Sequence, residues 1–337
     1  MTTLQLVWFL LICVLFVGFF FLEGFDFGVG MASGIIARTD AEKDTMLHII
    51  GPHWVVNETW LVTAGGAMFA SFPLWYASLF SSYYIMFLLV LTGLILRGVS
   101  FEFAGHAETQ KGRHFWYNMF VFGSFFAPFI LCMIFFSMIQ GVPLDANGDG
   151  QLMFFDFVNW LSIVGGVAGV LMSVIHGLNY TRLTTTGILR ERAQKLNRIL
   201  YPVLFVGEVV FALLVIFQTD FFTAKPISST IITLLIVVMS LVGAWGVYQD
   251  REISSLLGSG LSLAFVVILI FNGLFPRVMI ATNPAHNILI KDAASSPMAL
   301  QIMTIVVCVL LPIVLIYFIW SYVIFAHRVP SDKKVVE

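Results

Sequence analysis

Two carboxylates stand three residues apart inside the first long apolar run of the chain, in the stretch Leu22-Glu23-Gly24-Phe25-Asp26-Phe27-Gly28-Val29-Gly30. Positions i and i+3 of a helix share a face, so Glu23 and Asp26 point the same way. Near the centre of a bilayer each charge costs about 2.5–3.5 kcal/mol on insertion scales. That cost is tolerable only where the pair faces protein or water, or carries protons. Acids in such a place either relay protons or neutralise a buried cation. Residues that could join them follow in the next two apolar segments: Asn57 and Glu58, then Arg97 and Glu102. Gly24 and Gly28, four apart, have the small-residue spacing that lets a second helix approach closely.

The elements that must hold these residues are membrane helices. Of 337 residues, 59% are hydrophobic and 11% charged, with a mean hydropathy of +0.96. A soluble domain carries about 25% charged residues. The formal charge of −2 leaves no basic surplus to neutralise phosphates and excludes a nucleic-acid binder. Cys13, Cys132 and Cys308 lie singly in separate apolar segments, as buried thiols and not as a disulfide framework or metal cluster. The N-terminus lacks a basic flank and a small-residue cleavage pattern, so the first segment is expected to be retained as a helix.

Run length and periodicity predict nine spanning helices, at about residues 5–36, 52–72, 76–103, 114–140, 155–182, 196–219, 227–249, 257–275 and 300–326. Pro73 separates the second from the third. The expected fold is an all-α integral membrane protein with short connections, built as two four-helix bundles plus one peripheral helix. Residues 1–328 form one transmembrane domain and 329–337 a short polar tail.

Basic residues set the orientation. Loops on one side, with the C-terminal tail, carry Arg38, Lys43, Lys111, Arg113, Arg182, Arg190, Arg192, Lys195, Arg198, Arg251, Arg328, Lys333 and Lys334. The other side carries Lys225, Arg277 and Lys291, and Arg97 falls inside the third segment. Thirteen against three puts the N-terminus outside and the C-terminus in the cytoplasm. Glu23, Asp26, Asn57, Glu58, Arg97 and Glu102 then all fall in the cytoplasmic half of three consecutive helices. One arginine cannot neutralise this many acids, and a surplus of acids at low dielectric retains protons. A proton-uptake route is the functional reading, and a structural ion-pair network around Arg97 is the plain one.

Other candidates are weaker. Glu208 lies near mid-membrane and is either a hydrogen-bonded core residue or part of another relay. Among His48, His53, His106, His114, His176, His286 and His327, only His53 and His176 enter the membrane, both near cytoplasmic ends, where interfacial roles are commoner than haem ligation. The chain does not read as a haem carrier. Asp145, Asn147, Asp149 and Asp156 match part of a calcium-loop pattern, although such clusters are also ordinary turn chemistry. Trp54, Trp60, Trp75 and Trp116 sit near segment ends, as interface anchors do.

Four motifs occur in order: Glu23-Gly-Phe-Asp26-Phe-Gly-Val-Gly30, Gly51-Pro-His-Trp-Val-Val-Asn57-Glu58-Thr-Trp60-Leu, Ala64-Gly-Gly-Ala67-Met-Phe-Ala-Ser-Phe-Pro73 and Arg97-Gly-Val-Ser-Phe-Glu102. Together they resemble subunit II of cytochrome bd-type quinol oxidases. The resemblance implies a haem-free subunit in obligate partnership with subunit I, which carries the b- and d-type haems and the quinol-oxidising loop. The complex oxidises quinol, reduces oxygen to water and takes protons from the cytoplasm, in a bacterial cytoplasmic membrane. Small single-helix subunits and lipid are further partners the family suggests, and no catalytic residue is expected in this chain. By motif match, Glu23 and Asp26 belong to the proton-conducting region, and Glu58 and Glu102, at matching depth, are assigned to the same proton pathway. The resemblance also implies that Trp54, Asn57, Glu58 and Arg97 line an adjoining polar site that in some members holds a quinone. The chain departs from the family at Val55-Val56, where Asp-Gly is common, so any role of that acid does not transfer. The alternative from another class is an autonomous proton-coupled transporter with the same acids at its site. The sequence offers no convincing inverted repeat or paired broken helices to support it.

Overall fold

The computed structural model describes residues 1–150 and 152–331. Helix α1 runs Thr3–Ile36 from a capping box in which Thr2 and Gln5 satisfy each other's backbone N–H groups. At about 1.5 Å per residue it outruns a hydrocarbon core of roughly 30 Å. A short helix, α2 (Asp40–Ile50), is capped by Thr39 and precedes α3 (Trp54–Ser71). Then come α4 (Pro73–Ser82), α5 (Tyr84–Gly105) and α6 (Gln110–Gln140). A loop with the single turn α7 (Phe154–Phe157) leads to α8 (Trp160–Thr184), β1 (Thr185–Thr186) and α9 (Ile188–Gln218). The single turn α10 (Phe221–Ala224), α11 (Pro226–Tyr248) and α12 (Glu252–Leu274) follow. A second loop holds β2 (Arg277–Met279), β3 (Ile288–Leu289) and the turn α13 (Ile290–Ala293). The described residues close with α14 (Pro297–Ile324) and β4 (Val329–Pro330).

Eight of these helices, α1, α5, α6, α8, α9, α11, α12 and α14, are long and apolar enough to cross a membrane. Helix α3 stands where the second span was expected; it has 18 residues and carries Asn57 and Glu58 in its first turns. The expected third span, 76–103, is broken at Tyr83 into α4 and α5. Connections are not short everywhere, since α2 is an added helix and residues 275–296 form a folded loop.

The helices pack as two groups of four, with α1, α3, α5 and α6 in one and α8, α9, α11 and α12 in the other. Helices α1 and α6 lie against α8, and α1 also packs on α12. This seam depends on two glycines. A Cβ on Gly28 would collide with the Ser173 carbonyl oxygen, and one on Gly177 with the backbone of Gly28 and Val29. Backbone therefore meets backbone where α1 crosses α8. Helix α14 stays peripheral, touching α1 and α3, with Trp8 Nε1 donating to Thr304 Oγ1 at 3.0 Å.

Aromatic rings fill the interior. Phe9, Phe271 and Trp75 pack with centroids 5.3–6.3 Å apart. Trp75 is 1% exposed, so it is a core residue and not the interface anchor expected. Cys13 and Cys132 are buried, while Cys308 is exposed on α14.

One end of the molecule gathers the basic segments. Arg113 pairs with Asp44, Arg192 with Glu42 at 2.8 Å, Arg190 with Asp250 at 2.8 Å and Arg328 with Glu252. The tail is not a free appendage at its start. Val329 and Pro330 pair in parallel with Thr185 and Thr186, and Val329 and Ser331 are buried. The remainder of the expected tail, residues 332–337, lies outside the described residues. At the opposite end the loop after α6 and the loop after α12 are knitted together, with Val142 N–H donating to Ile280 O and Thr282 N–H to Val142 O, both at 2.9 Å.

Candidate functional site

Three helices of the first bundle bring five of the six expected polar residues into contact. Glu23 and Asp26 project from α1 and are fully buried, as is Arg97 on α5. The Arg97 guanidinium donates to Glu23 Oε1 and, at 3.2 Å, to Glu58 Oε1 on α3. Its carbon lies 4.7 Å from the Phe27 ring centroid, a cation–π contact from the same helix as the acids. Asn57 Nδ2 donates to Asp26 Oδ2 at 2.8 Å. Arg97 reaches this depth because α6 abuts α5 through Gly123, whose missing Cβ would meet the Arg97 backbone N and Cβ.

The site holds three carboxylates and one guanidinium, so full ionisation would leave two uncompensated negative charges within a low-dielectric bundle. Several polar atoms here have no protein partner: Glu23 Oε2, Asp26 Oδ1, and Arg97 Nε and Nη2. Buried polar groups without partners cost about 1–3 kcal/mol each, and ordered water is the usual remedy. A hydrated acid site around one fixed cation is suited to holding and passing protons.

The structure separates the remaining predicted residues from this site. Glu102 is exposed on α5; five residues past Arg97 is about 140° around the helix at 100° per residue. Trp54 stacks on Phe101 at 5.1 Å instead of turning inward. Neither Trp54, Asn57 nor Arg97 lines the neighbouring apolar groove of about 630 Å³ formed by Leu61, Gly65, Phe69, Leu94 and Met138. Val55, at the departure from the family motif, is 55% exposed, so the lost acid does not disturb the cluster.

Asp145 organises its own turn. Its Oδ1 accepts from the backbone N–H of Asn147 at 2.8 Å and of Asp149 at 2.9 Å, while Asp156 caps the Met153 N–H at 2.8 Å. These contacts are ordinary turn chemistry, and among the described residues no three His, Cys, Asp or Glu side chains group as metal ligands would.

His176 is buried in the seam and not interfacial. Its Nε2 lies 2.9 Å from Phe21 O and its Nδ1 2.8 Å from Ser259 Oγ. Both ring nitrogens are thus engaged, and the residue does not fit the role of a haem ligand. Glu208 finds partners on other helices: Ser240 Oγ donates to it at 2.5 Å and contacts Ser262 Oγ at 2.9 Å.

Two groups escaped sequence reasoning. Arg182, counted as a loop cation, is fully buried and donates to Ser255 Oγ at 3.0 Å and Asp250 Oδ1 at 3.1 Å. It caps a network in which Asn179 Nδ2 reaches Ser259 Oγ at 3.0 Å and Asn197 Nδ2 reaches Asn179 Oδ1 at 2.8 Å. A signal was available, because His176-Gly177-Leu178-Asn179-Tyr180 repeats the spacing of Glu23-Gly24-Phe25-Asp26-Phe27. The other omission is Tyr322, in the last turn of α14, whose hydroxyl donates to Asn57 Oδ1 at 2.7 Å from 265 residues away. No local spacing announces that contact.

Fold and site together define a multi-pass membrane protein with a buried, acid-rich polar centre. The profile of the family described as cytochrome bd terminal oxidase subunit II matches residues 4–325. Cytochrome bd ubiquinol oxidase subunit 2 of Bacillus subtilis is 40% identical over 336 residues, covering 99% of each chain. Cytochrome bd-I ubiquinol oxidase subunit 2 of Escherichia coli K12 is 31% identical over 354 residues, covering 95% of this chain and 93% of its own. A chain of the bd oxidase from Geobacillus thermodenitrificans shares the fold, with a TM-score of 0.74 at 16% identity, over 96% of this chain and 99% of that one. The chain belongs to the cytochrome bd terminal oxidase subunit II family. It is a multi-pass subunit of a quinol:oxygen oxidoreductase in a bacterial membrane, which retires the transporter alternative.

Proposed function

We propose that this subunit supplies the oxidase with its cytoplasmic proton-uptake site, through Glu23, Asp26 and Glu58 around Arg97, while the haems that reduce oxygen are held by the partner subunit I. The observation that carries this reading is the convergence of three acids on one buried guanidinium. An ion pair built for rigidity alone needs one carboxylate. The two further acids, with unpartnered oxygens on Glu23 and Asp26, give protons places to reside on their way to the partner.

The membrane orientation follows from the clustering of basic segments at one end, which we assign to the cytoplasm. With α3 counted as a ninth crossing, the amino terminus is outside. When present, the haems supply electron transfer and oxygen reduction. This chain's own contribution is to hold protons at Glu23, Asp26 and Glu58 and to position them with Arg97 and Asn57.

The test is Glu23→Gln in the complete oxidase. Quinol-dependent oxygen uptake should slow by about 10²-fold, the low end of what a positioned proton-transfer group contributes, with reduced-haem absorption intact. Unchanged turnover across pH would remove the site from the proton path.

A further inference from the structure

Between the last turn of α14, the middle of α1 at Phe21, Leu22 and Phe25, and the end of α8 lies a cavity of about 410 Å³. His53, Tyr180, Thr184, Tyr322, Phe325 and His327 line it. The same side chains except Tyr322 border an adjoining space of about 160 Å³ that extends to His48. The cavity opens where Ala326, His327 and Arg328 are exposed, with Arg328 anchored to Glu252.

Tyr322 stands between this cavity and the acid cluster. Its ring stacks on His53 at 4.1 Å, both rings on the cavity wall. Its hydroxyl, on the far side, donates to Asn57 Oδ1 at 2.7 Å, and the Asn57 amide donates to Asp26 Oδ2 at 2.8 Å. Only two side chains therefore separate the cavity from a fully buried carboxylate. Unpartnered buried atoms lie on both sides of that partition: His53 Nδ1 on the cavity wall, and Asp26 Oδ1 and Glu23 Oε2 beyond it. Native structures pair such atoms with protein or water, so water belongs on both sides.

We propose that this cavity is the mouth through which water and protons at the basic end reach the acid cluster, with Tyr322 as the residue that seals it and holds Asn57 on Asp26. The inference rests on the proton-uptake reading and names the access route to that site. Asn57 has no ionisable proton to hand on, so the closed Tyr322–Asn57–Asp26 chain is a seal and not a wire. When the tyrosine hydroxyl leaves Asn57, the carboxamide is free to turn away from Asp26, and water entering from the cavity can bring a proton, as hydronium, to Asp26 Oδ1. The hydronium becomes water, and the next proton comes through the cavity from the basic end.

The test uses the intact oxidase carrying Ala326→Cys at the rim, assayed before and after modification with a bulky, membrane-impermeant maleimide applied from the cytoplasmic side. The parent complex treated identically controls for native thiols. Modification should slow oxygen uptake by about tenfold or more, a partial loss of the 10²–10⁴ a proton-transfer route contributes. The quinol KM and haem absorption should stay constant, and smaller adducts should slow turnover less. An adduct at Val323→Cys, on α14 but off the cavity wall, should leave the rate unchanged. Full modification at position 326 without slowing, in an enzyme that Glu23→Gln does slow, overturns the mouth and leaves the proton-uptake reading standing. Equal slowing from position 323 overturns it as well. If Glu23→Gln itself leaves turnover unchanged, the underlying reading fails.

Discussion

The Tyr322 hydroxyl donates to Asn57 Oδ1 at 2.7 Å, joining the most peripheral helix of the subunit to its most buried polar site. Asn57 is fully buried and its amide is already directed at Asp26, so the tyrosine fixes which way the carboxamide faces. Tyr322→Phe removes that donor and leaves a buried acceptor unsatisfied, at about 1–3 kcal/mol. The expected outcome is an altered maximal rate of oxygen uptake with the quinol KM unchanged, and a loosened α14 seen as faster proteolysis near its end. A variant matching the parent in both measurements would make the contact incidental.

Arg97 should matter more for assembly than any surface cation. Removing one partner of a buried ion pair costs about 3–5 kcal/mol because the remaining charge stays behind. Arg97→Ala should therefore lower the yield of intact, haem-bearing complex sharply, while Lys195→Ala, on an exposed position, should not. Combining Arg97→Ala with Glu23→Gln should restore part of the yield, since the carboxylate left unpaired is then neutral. Strict additivity of the two changes would show that the residues do not act as a pair.

The seam between bundles gives a third expectation. Gly177 leaves no space for a methyl group, because α1 backbone occupies it. Gly177→Ala must push the helices apart, at the 1–3 kcal/mol or more typical of overpacking. Gly207, on α9, faces open space, and Gly207→Ala should be neutral or slightly stabilising because alanine favours helix. Thermal inactivation of the two purified variants side by side decides the point, and equal behaviour would rule out the close crossing.

Much of this site was legible from residue type and depth. Glu23, Asp26, Asn57, Glu58 and Arg97 were expected together because orientation puts them in one half of the membrane, and they meet. Glu102 was grouped with them by depth alone, but depth ignores the helical angle, and about 140° of rotation from Arg97 takes it to the surface. The break at Tyr83 was hidden because Phe80-Ser81-Ser82-Tyr83-Tyr84 contains no proline or glycine to mark it. What stops the helix is tertiary: Tyr83 is 1% exposed and its hydroxyl lies 2.9 Å from Ser137 Oγ. Arg182 was read as a loop cation because hydropathy places it at a helix end, whereas its partners, Ser255 and Asp250, come from α12 and the turn before it. Contacts between distant helices, such as Tyr322 with Asn57, carry no local pattern at all.

The basic end should make the subunit acid-sensitive through Asp250. The hydrogen bond from Arg190, the largest influence, together with that from Arg182, holds its carboxyl below the ordinary range against the opposing effect of burial. It sits in the turn between α11 and α12, outside the spans, and bridges the ends of α8 and α9. A carboxyl with a folded-state pKa below its unfolded value of about 3.9 contributes stability that is present above that value. The contribution is lost as pH falls through the lower, folded value. Half of the side chain is exposed, so solvent screening keeps the contribution small. The parent should thus lose thermal stability below about pH 4 in part through this residue. Asp250→Asn should already be less stable at pH 7 and should show a shallower decline on acidification. Parallel stability–pH curves for parent and variant would mean that the two arginines do not depend on this carboxylate. Full stability of the variant at pH 7 would mean that their pairing with Asp250 does not hold the ends of α8 and α9 together.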